Sequence, residues 1–149
     1  MRTIVFNGRT VSPSKIICVG KNYAAHIEEM NSVPSDLMTL FMKPNSSITD
    51  ELISYRGEPV HFEGEICLLI EQNRVAGIGF GLDLTKRATQ AALKSAGLPW
   101  ERSKAFEGAA LFSSFVDAPA SLENIVLELS IDGELRQRGG TQHMLYSPS

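Results

Sequence analysis

Val60-His-Phe-Glu-Gly-Glu-Ile-Cys-Leu-Leu-Ile70 is the stretch on which the fold turns. Its first half alternates apolar and polar residues, the period of a half-buried strand. Its second half, Ile66 to Ile70, is apolar on both faces, which predicts a strand running from an exposed start into the core. A polar turn at Glu71-Gln72-Asn73-Arg74 returns the chain through a glycine-rich strand from Val75 to Leu82. Upstream, Ile4-Val5-Phe6 and Arg9-Thr10-Val11 flank Asn7-Gly8, a pair suited to a two-residue hairpin because both turn positions need φ > 0. Lys15 to Val19 predicts a short buried strand stopped by Gly20, and Leu37 to Lys43 another. Downstream, Ile125 to Ile131 and Glu134 to Arg138 predict a hairpin across Asp132-Gly133. Helical patterns are short: Tyr23 to Met30 behind an Asn22 cap, and Leu84 to Ala96 with Asp83 at the cap and Gly97 and Pro99 at the end. Many strands with few short helices predict a β-rich α+β fold.

The 149 residues are 43% hydrophobic and 21% charged, enough apolar content to bury a core in one domain spanning 1–149. A net charge of −3 offers no attraction to phosphate backbones, and no apolar run reaches the length of a membrane span, so neither nucleic acid nor membrane is an expected partner. Cys18 and Cys67 lie in apolar runs without metal or redox spacing, which predicts buried free thiols and a cytoplasmic, reducing compartment. Met144-Leu145-Tyr146 reads as a further apolar element shortly before the last residue, Ser149, and this abrupt ending predicts a truncated domain whose uncovered edges invite association.

Glu63 and Glu65 stand at i and i+2 of a strand, so their carboxylates share a face. Such a pair is either an exposed acidic edge or half of a cation site. Asp83, where the returning strand gives way to a helix, brings a third carboxylate within range if the two strands are neighbours. An all-oxygen set selects Mg²⁺, Mn²⁺ or Ca²⁺ over zinc. His26 and Glu29, three apart, share a helical face: a surface salt link, or a histidine oriented by a carboxylate to act as general base. Gly77, Gly79 and Gly81 alternate along a strand and mark close approach of another group rather than a nucleotide loop. Lys86 and Arg87 begin a helix, where cations oppose the dipole, a mild sign that one of them has a task. Lys104 reads on its own as an ordinary snorkelling lysine.

Six blocks in this order resemble the fumarylacetoacetate hydrolase family, in particular its small acylpyruvase and oxaloacetate decarboxylase branch. They are Cys18-Val-Gly-Lys-Asn-Tyr-Ala-Ala-His-Ile-Glu-Glu29, Phe41-Met-Lys-Pro-Asn-Ser-Ser-Ile48, His61-Phe-Glu-Gly-Glu-Ile66, Gly81-Leu-Asp-Leu-Thr-Lys-Arg87, Gly97-Leu-Pro-Trp-Glu-Arg-Ser-Lys-Ala-Phe106 and Asp132-Gly-Glu-Leu-Arg-Gln137. The resemblance spans the chain from Ile16 onward. It implies a mixed β-sandwich roll, commonly dimeric, with Mg²⁺ or Mn²⁺ held by Glu63, Glu65 and Asp83. It further implies a lid-helix dyad of His26 and Glu29, a catalytic Lys104, and a small 2-oxo acid contacted by Lys21, Arg87 and Gln90. The implied reaction is hydrolysis of a C–C bond in an acylpyruvate or related β-diketo acid: His26, oriented by Glu29, deprotonates water, and Lys104 stabilises the developing oxyanion. Oxaloacetate decarboxylation, an isomerase or hydratase activity of aromatic degradation, and a catalytically incompetent fragment are the alternatives. Two departures stand out: Lys86-Arg87-Ala88 replaces the branch's Ala-Arg-Asp, and the chain stops before the family's further strands and Gly-Thr-Pro substrate loop.

Overall fold

The computed structural model describes residues 1–23 and 37–148. A first hairpin pairs β1 (Ile4–Phe6) with β2 (Arg9–Val11) across Asn7 and Gly8, whose φ values of 48° and 76° are those the turn demands. β3 (Lys15–Gly20) pairs antiparallel with β4 (Thr39–Pro44), and the short β5 (Val60–His61) with β8 (Thr85–Lys86). The central ladder joins β6 (Gly64–Glu71) to β7 (Arg74–Asp83), with β9 (Ala110–Phe112) and β10 (Val116–Asp117) along the other edge of β7. β11 (Val126–Ile131) and β12 (Glu134–Gly140) form the last hairpin, turning at Asp132 (φ 53°) and Gly133 (φ 81°). Two helices, α1 (Arg87–Ser95) and α2 (Glu101–Lys104), follow β8. The named ladders are antiparallel, while isolated parallel bridges link Phe6 to Phe115 and Ile48 to Ala110. This is the β-rich α+β roll expected from the sequence.

Ile4, Phe6, Ile48, Leu69 and Phe115 form the apolar core, with Phe112, Cys67 and Ala76 packed on it. The alternating glycines of β7 let this core close. A Cβ on Gly77 would lie 3.0 Å from the Phe6 ring and from Val116 O, and one on Gly79 3.0 Å from the Phe115 ring. A Cβ on Gly81 would lie 2.6 Å from Cys67 Sγ. The approaching groups are therefore the protein's own side chains and backbone.

Several local expectations are corrected. The run from Val60 to Ile70 is not one strand: the backbone leaves β geometry at Phe62 and Glu63, and β6 begins at Gly64. Its apolar half is less deeply buried than its composition suggests, with Leu69 buried and Ile70 57% exposed. β3 is half-buried on one face and exposed on the other. The helix begins at Arg87 rather than Leu84, because Thr85 and Lys86 pair with His61 and Val60 as a strand. Asp83 therefore ends β7 and does not cap the helix. The cap comes from a distant loop, where the Glu58 carboxylate accepts from Ala88 N–H (2.9 Å), Thr89 N–H (3.2 Å) and the Thr89 hydroxyl. At the other end Gly97, at φ 66°, donates to Lys94 O and Leu98 N–H to Leu93 O, closing the helix as the sequence indicates. The Asn22 side chain is engaged by the segment near Tyr146. Its amide donates to Tyr146 O (3.2 Å) and accepts from Tyr146 N–H (2.8 Å), while Tyr23 bridges to Met144. The expected helix beyond Tyr23, with His26 and Glu29, lies outside the described residues. Met144 to Tyr146 form no strand, and Leu145 is 53% exposed.

Candidate functional site

The site lies where β7 ends. Asp83 is the last residue of that strand, and its N–H donates 2.8 Å to Glu63 O, which fixes the break before β6 directly opposite. The antiparallel register pairs Gly64 with Leu82 and Glu65 with Gly81, so all three carboxylates reach the same end of the ladder.

Two lysines meet them. Lys43, in β4, is 1% exposed, and its Nζ lies 2.8 Å from Asp83 Oδ1 while donating to the carbonyls of Leu84 (3.3 Å) and Lys104. Lys104, at the end of α2, is 3% exposed and donates at 2.7 Å to each of Glu63 Oε2, Asp83 Oδ2 and Thr85 Oγ1. It is therefore no surface lysine. Glu63 and Asp83 converge on its single nitrogen. Arg87 completes the group by donating to Glu63 Oε1 and, at 2.6 Å, to Gln90 Oε1. Lys104 Nζ also stands 5.0 Å above the Phe41 ring, and Phe41 in turn packs on Trp100 with centroids 5.9 Å apart.

Electrostatics separates the two glutamates. Burial alone would raise Glu63, but Lys104 and Arg87 outweigh it and hold its pKa down to about 2. Glu65 is pushed up to about 8, first by burial and then by the charges of Asp83 and Glu63, with Lys104 opposing. Among the described residues its carboxyl makes no hydrogen bond or ion pair. Burial lowers Lys43, and Asp83 opposes that fall. Asp83 Oδ1, although at ion-pair distance from Lys43, has no aligned hydrogen bond.

The remaining expected residues fall around this centre. Gln90 is buried and engaged by Arg87. Lys21 follows β3 in a left-handed conformation, with no hydrogen bond or ion pair to the carboxylates among the described residues. It belongs to a basic rim with Lys94, whose pKa is lowered by burial and then by Lys21, Arg87 and Lys104, and whose Nζ lies 4.7 Å from the Trp100 ring centroid. Tyr23, its hydroxyl pushed up to about 12 by burial and by Glu65, borders the acidic side. Burial likewise raises both free thiols, Cys18 to about 12, which makes them poor nucleophiles. Lys43 and Thr85 were not singled out by residue chemistry. The usable signal was a lysine between apolar neighbours in Phe41-Met-Lys-Pro44, since a buried lysine needs a partner.

A lysine-bridged carboxylate cluster at the strand ends of a β-rich roll defines an enzyme-type polar centre rather than a packing core. The chain belongs to the fumarylacetoacetate (FAA) hydrolase C-terminal family, whose pattern matches residues 15–149. It is 38% identical over 152 residues to the Escherichia coli oxaloacetate tautomerase YcgM, covering 89% of this chain and 69% of that protein. It is 35% identical over 153 residues to the Arabidopsis thaliana mitochondrial oxaloacetate tautomerase FAHD1, covering 89% and 67%. The Pseudomonas aeruginosa fumarylpyruvate hydrolase, solved with Mn²⁺ and pyruvate, superimposes with a TM-score of 0.86 at 27% identity, over 98% of this chain and 73% of that one. Members of the family are hydrolases and tautomerases, and one similar structure holds a divalent metal. Among the described residues no helix is long and apolar enough to cross a membrane.

Proposed function

We propose that this chain catalyses metal-assisted keto–enol chemistry on a small 2-oxo acid, with oxaloacetate-type dicarboxylates as the substrate class. The observation that carries the reading is the convergence of Glu63 and Asp83 on one cationic point, with a third carboxyl, Glu65, beside them and without a hydrogen bond or ion pair among the described residues. In the present arrangement no three His, Cys, Asp or Glu side chains among the described residues are grouped closely enough to hold an ion, because Lys104 occupies the meeting point. The donor set nevertheless fits a hard cation: all donors are carboxylate oxygens, and among the described residues Asp83 Oδ1 is buried without an aligned donor and Glu65 has no partner. Glu63, Glu65 and Asp83 would hold Mg²⁺ or Mn²⁺, with Ca²⁺ also compatible. Bound there, the ion supplies Lewis-acid polarisation of the 2-oxo group.

The chain's own residues do the rest. Lys104 keeps a preorganised positive charge where enolate charge develops. Arg87, held by Glu63 and Gln90, has further N–H donors for a substrate carboxylate, and Lys21 and Lys94 add positive charge on the same side. His26, oriented by Glu29, moves the proton between carbon and oxygen. The two tautomerase relatives favour this reaction over water attack. Hydrolysis of acylpyruvates is the second reading, favoured by the fumarylpyruvate hydrolase neighbour with its Mn²⁺ and pyruvate.

The test follows decay of the enol absorbance of oxaloacetate with Mn²⁺, beside pyruvate release from acetylpyruvate and fumarylpyruvate. Accelerated enol decay, abolished in Asp83→Asn, supports the tautomerase reading. Pyruvate release without enol acceleration transfers the assignment to the hydrolase, and neither activity overturns both. We also propose a homodimer in a reducing, cytoplasmic setting. The two free cysteines support the compartment. The dimer is supported by the outer face of β3 and β4, where Ile17 pairs with Met42 and Val19 with Leu40, these side chains being 39–58% exposed. Sedimentation of the full chain tests it: a concentration-independent monomer overturns the dimer.

A further inference from the structure

Gly64 lies between the two glutamates, and both of its backbone polar groups are engaged by one side chain. Its N–H donates 2.8 Å to Gln137 Oε1, and Gln137 Nε2 donates 2.7 Å to its carbonyl. The amide thus acts as a one-residue strand on the edge of β6 away from β7. It comes from β12, 73 positions along the chain. The geometry there is specific. Leu135 and Gln137, two apart on β12, would share a face under strict alternation, yet Leu135 is exposed and Gln137 half-buried, and the register of the hairpin shifts between Leu129, opposite Gln137, and Ser130. A bulge at that place re-aims the side chain. The fit leaves no slack, since a Cβ on Gly64 would lie 3.1 Å from Gln137 Oε1 and 3.2 Å from the Phe80 ring.

The other side of the same segment is held by Asp83, whose N–H bonds Glu63 O. Glu63-Gly64-Glu65 is therefore gripped from both edges before any ligand is present. We propose that Gln137 is a positioning residue for the acidic site: it sets the directions in which Glu63 and Glu65 leave the backbone, and through them the affinity for a divalent cation. This rests on the metal reading of the site. It contacts no reacting atom. Outer groups that orient metal-binding carboxylates typically contribute about 10–100-fold in affinity.

The experiment titrates Mn²⁺ into the full chain and reads free Mn²⁺ by electron paramagnetic resonance, beside thermal unfolding of the metal-free protein. Gln137→Met keeps the side-chain volume and removes both hydrogen bonds, and it is expected to weaken Mn²⁺ binding by about 10–100-fold. Arg138→Ala removes a surface pair with Glu128 on the same hairpin and is expected to bind Mn²⁺ as the unmodified chain does. A lower melting temperature in Gln137→Met with Mn²⁺ affinity unchanged would show a merely structural role and overturn the inference alone. Absence of Mn²⁺ binding by the unmodified chain overturns the metal reading and this inference together. If Gln137→Met does not fold, amide exchange in the unmodified, metal-free chain decides: a protected Gly64 N–H supports the preformed grip, and a freely exchanging one overturns it.

Discussion

Among the described residues, two buried centres lie against β7, and they are held by different physics. At one end Ile4, Phe6, Ile48, Leu69 and Phe115 exclude water, with directionless contacts. At the other, Lys43, Asp83, Thr85 and Lys104 are as deeply buried, yet each depends on a named partner at a named distance. Apolar packing degrades gradually when a methylene is removed. A buried charge network fails abruptly when one partner goes, because the other is left uncompensated. That end of the strand carries a cost that packing alone would not require, which is why it marks the functional site.

The largest expected effect is at Lys43. Lys43→Met leaves the buried Asp83 short of a cation and should cost about 3–5 kcal/mol in denaturant unfolding. The double variant Lys43→Met with Asp83→Asn should lose clearly less than the two single losses combined, since charge and countercharge leave together. Strict additivity would break the contrast between the two centres.

The metal-free chain should next show an unusual pH dependence. The folded pKa of Glu65, about 8, lies above its ordinary 4.5, so the folded state binds more protons between these values. Stability from this group is present below about 4.5 and is lost as pH rises towards 8. Glu63, held at about 2, acts in the opposite sense, losing its contribution as pH falls from 4.5 towards 2. Melting temperatures across this range should fall on the neutral side in the unmodified chain and flatten there in Glu65→Gln. An unchanged neutral limb in that variant would remove Glu65 as the cause.

On the apolar side, Ile48→Val should cost only about 0.5–1.5 kcal/mol and leave Mn²⁺ affinity untouched. The smallest effect belongs to Arg9. It forms a two-pronged pair with Glu71 at 2.8 and 2.7 Å and lies 4.7 Å from the Phe6 ring centroid at the edge of the apolar core. The pair is substantially exposed, so Arg9→Ala should cost no more than about 1 kcal/mol, and raised salt should erase much of the difference. A loss as large as that of Lys43→Met would mean that the apolar centre also leans on charge.

Local chemistry made the turns and most strands legible. Asn7-Gly8 and Asp132-Gly133 act through their own backbones, and a run such as Ile4-Val5-Phe6 reads as a strand from its β-branched and aromatic residues. The i, i+2 spacing of Glu63 and Glu65 and the strand-end place of Asp83 could also be read along the chain, because they depend on neighbours in sequence. Lys104 could not be read this way. By local pattern it was a snorkelling lysine, and the family resemblance alone gave it a role; its burial is set by β7 and α2 meeting 21 residues apart. Lys43 joins Asp83, 40 positions on, only because the fold brings a β4 side chain to the end of β7. The same is true of Glu58, which replaces Asp83 as the helix cap, and of Gln137, which grips Gly64 from the far hairpin. Periodicity and turn propensity are near-neighbour properties, and the sequence by itself determined them. Which cation meets which carboxylate is a long-range pairing between buried groups, and only the folded chain, which removes water and leaves each charge to the few partners within its reach, decided it.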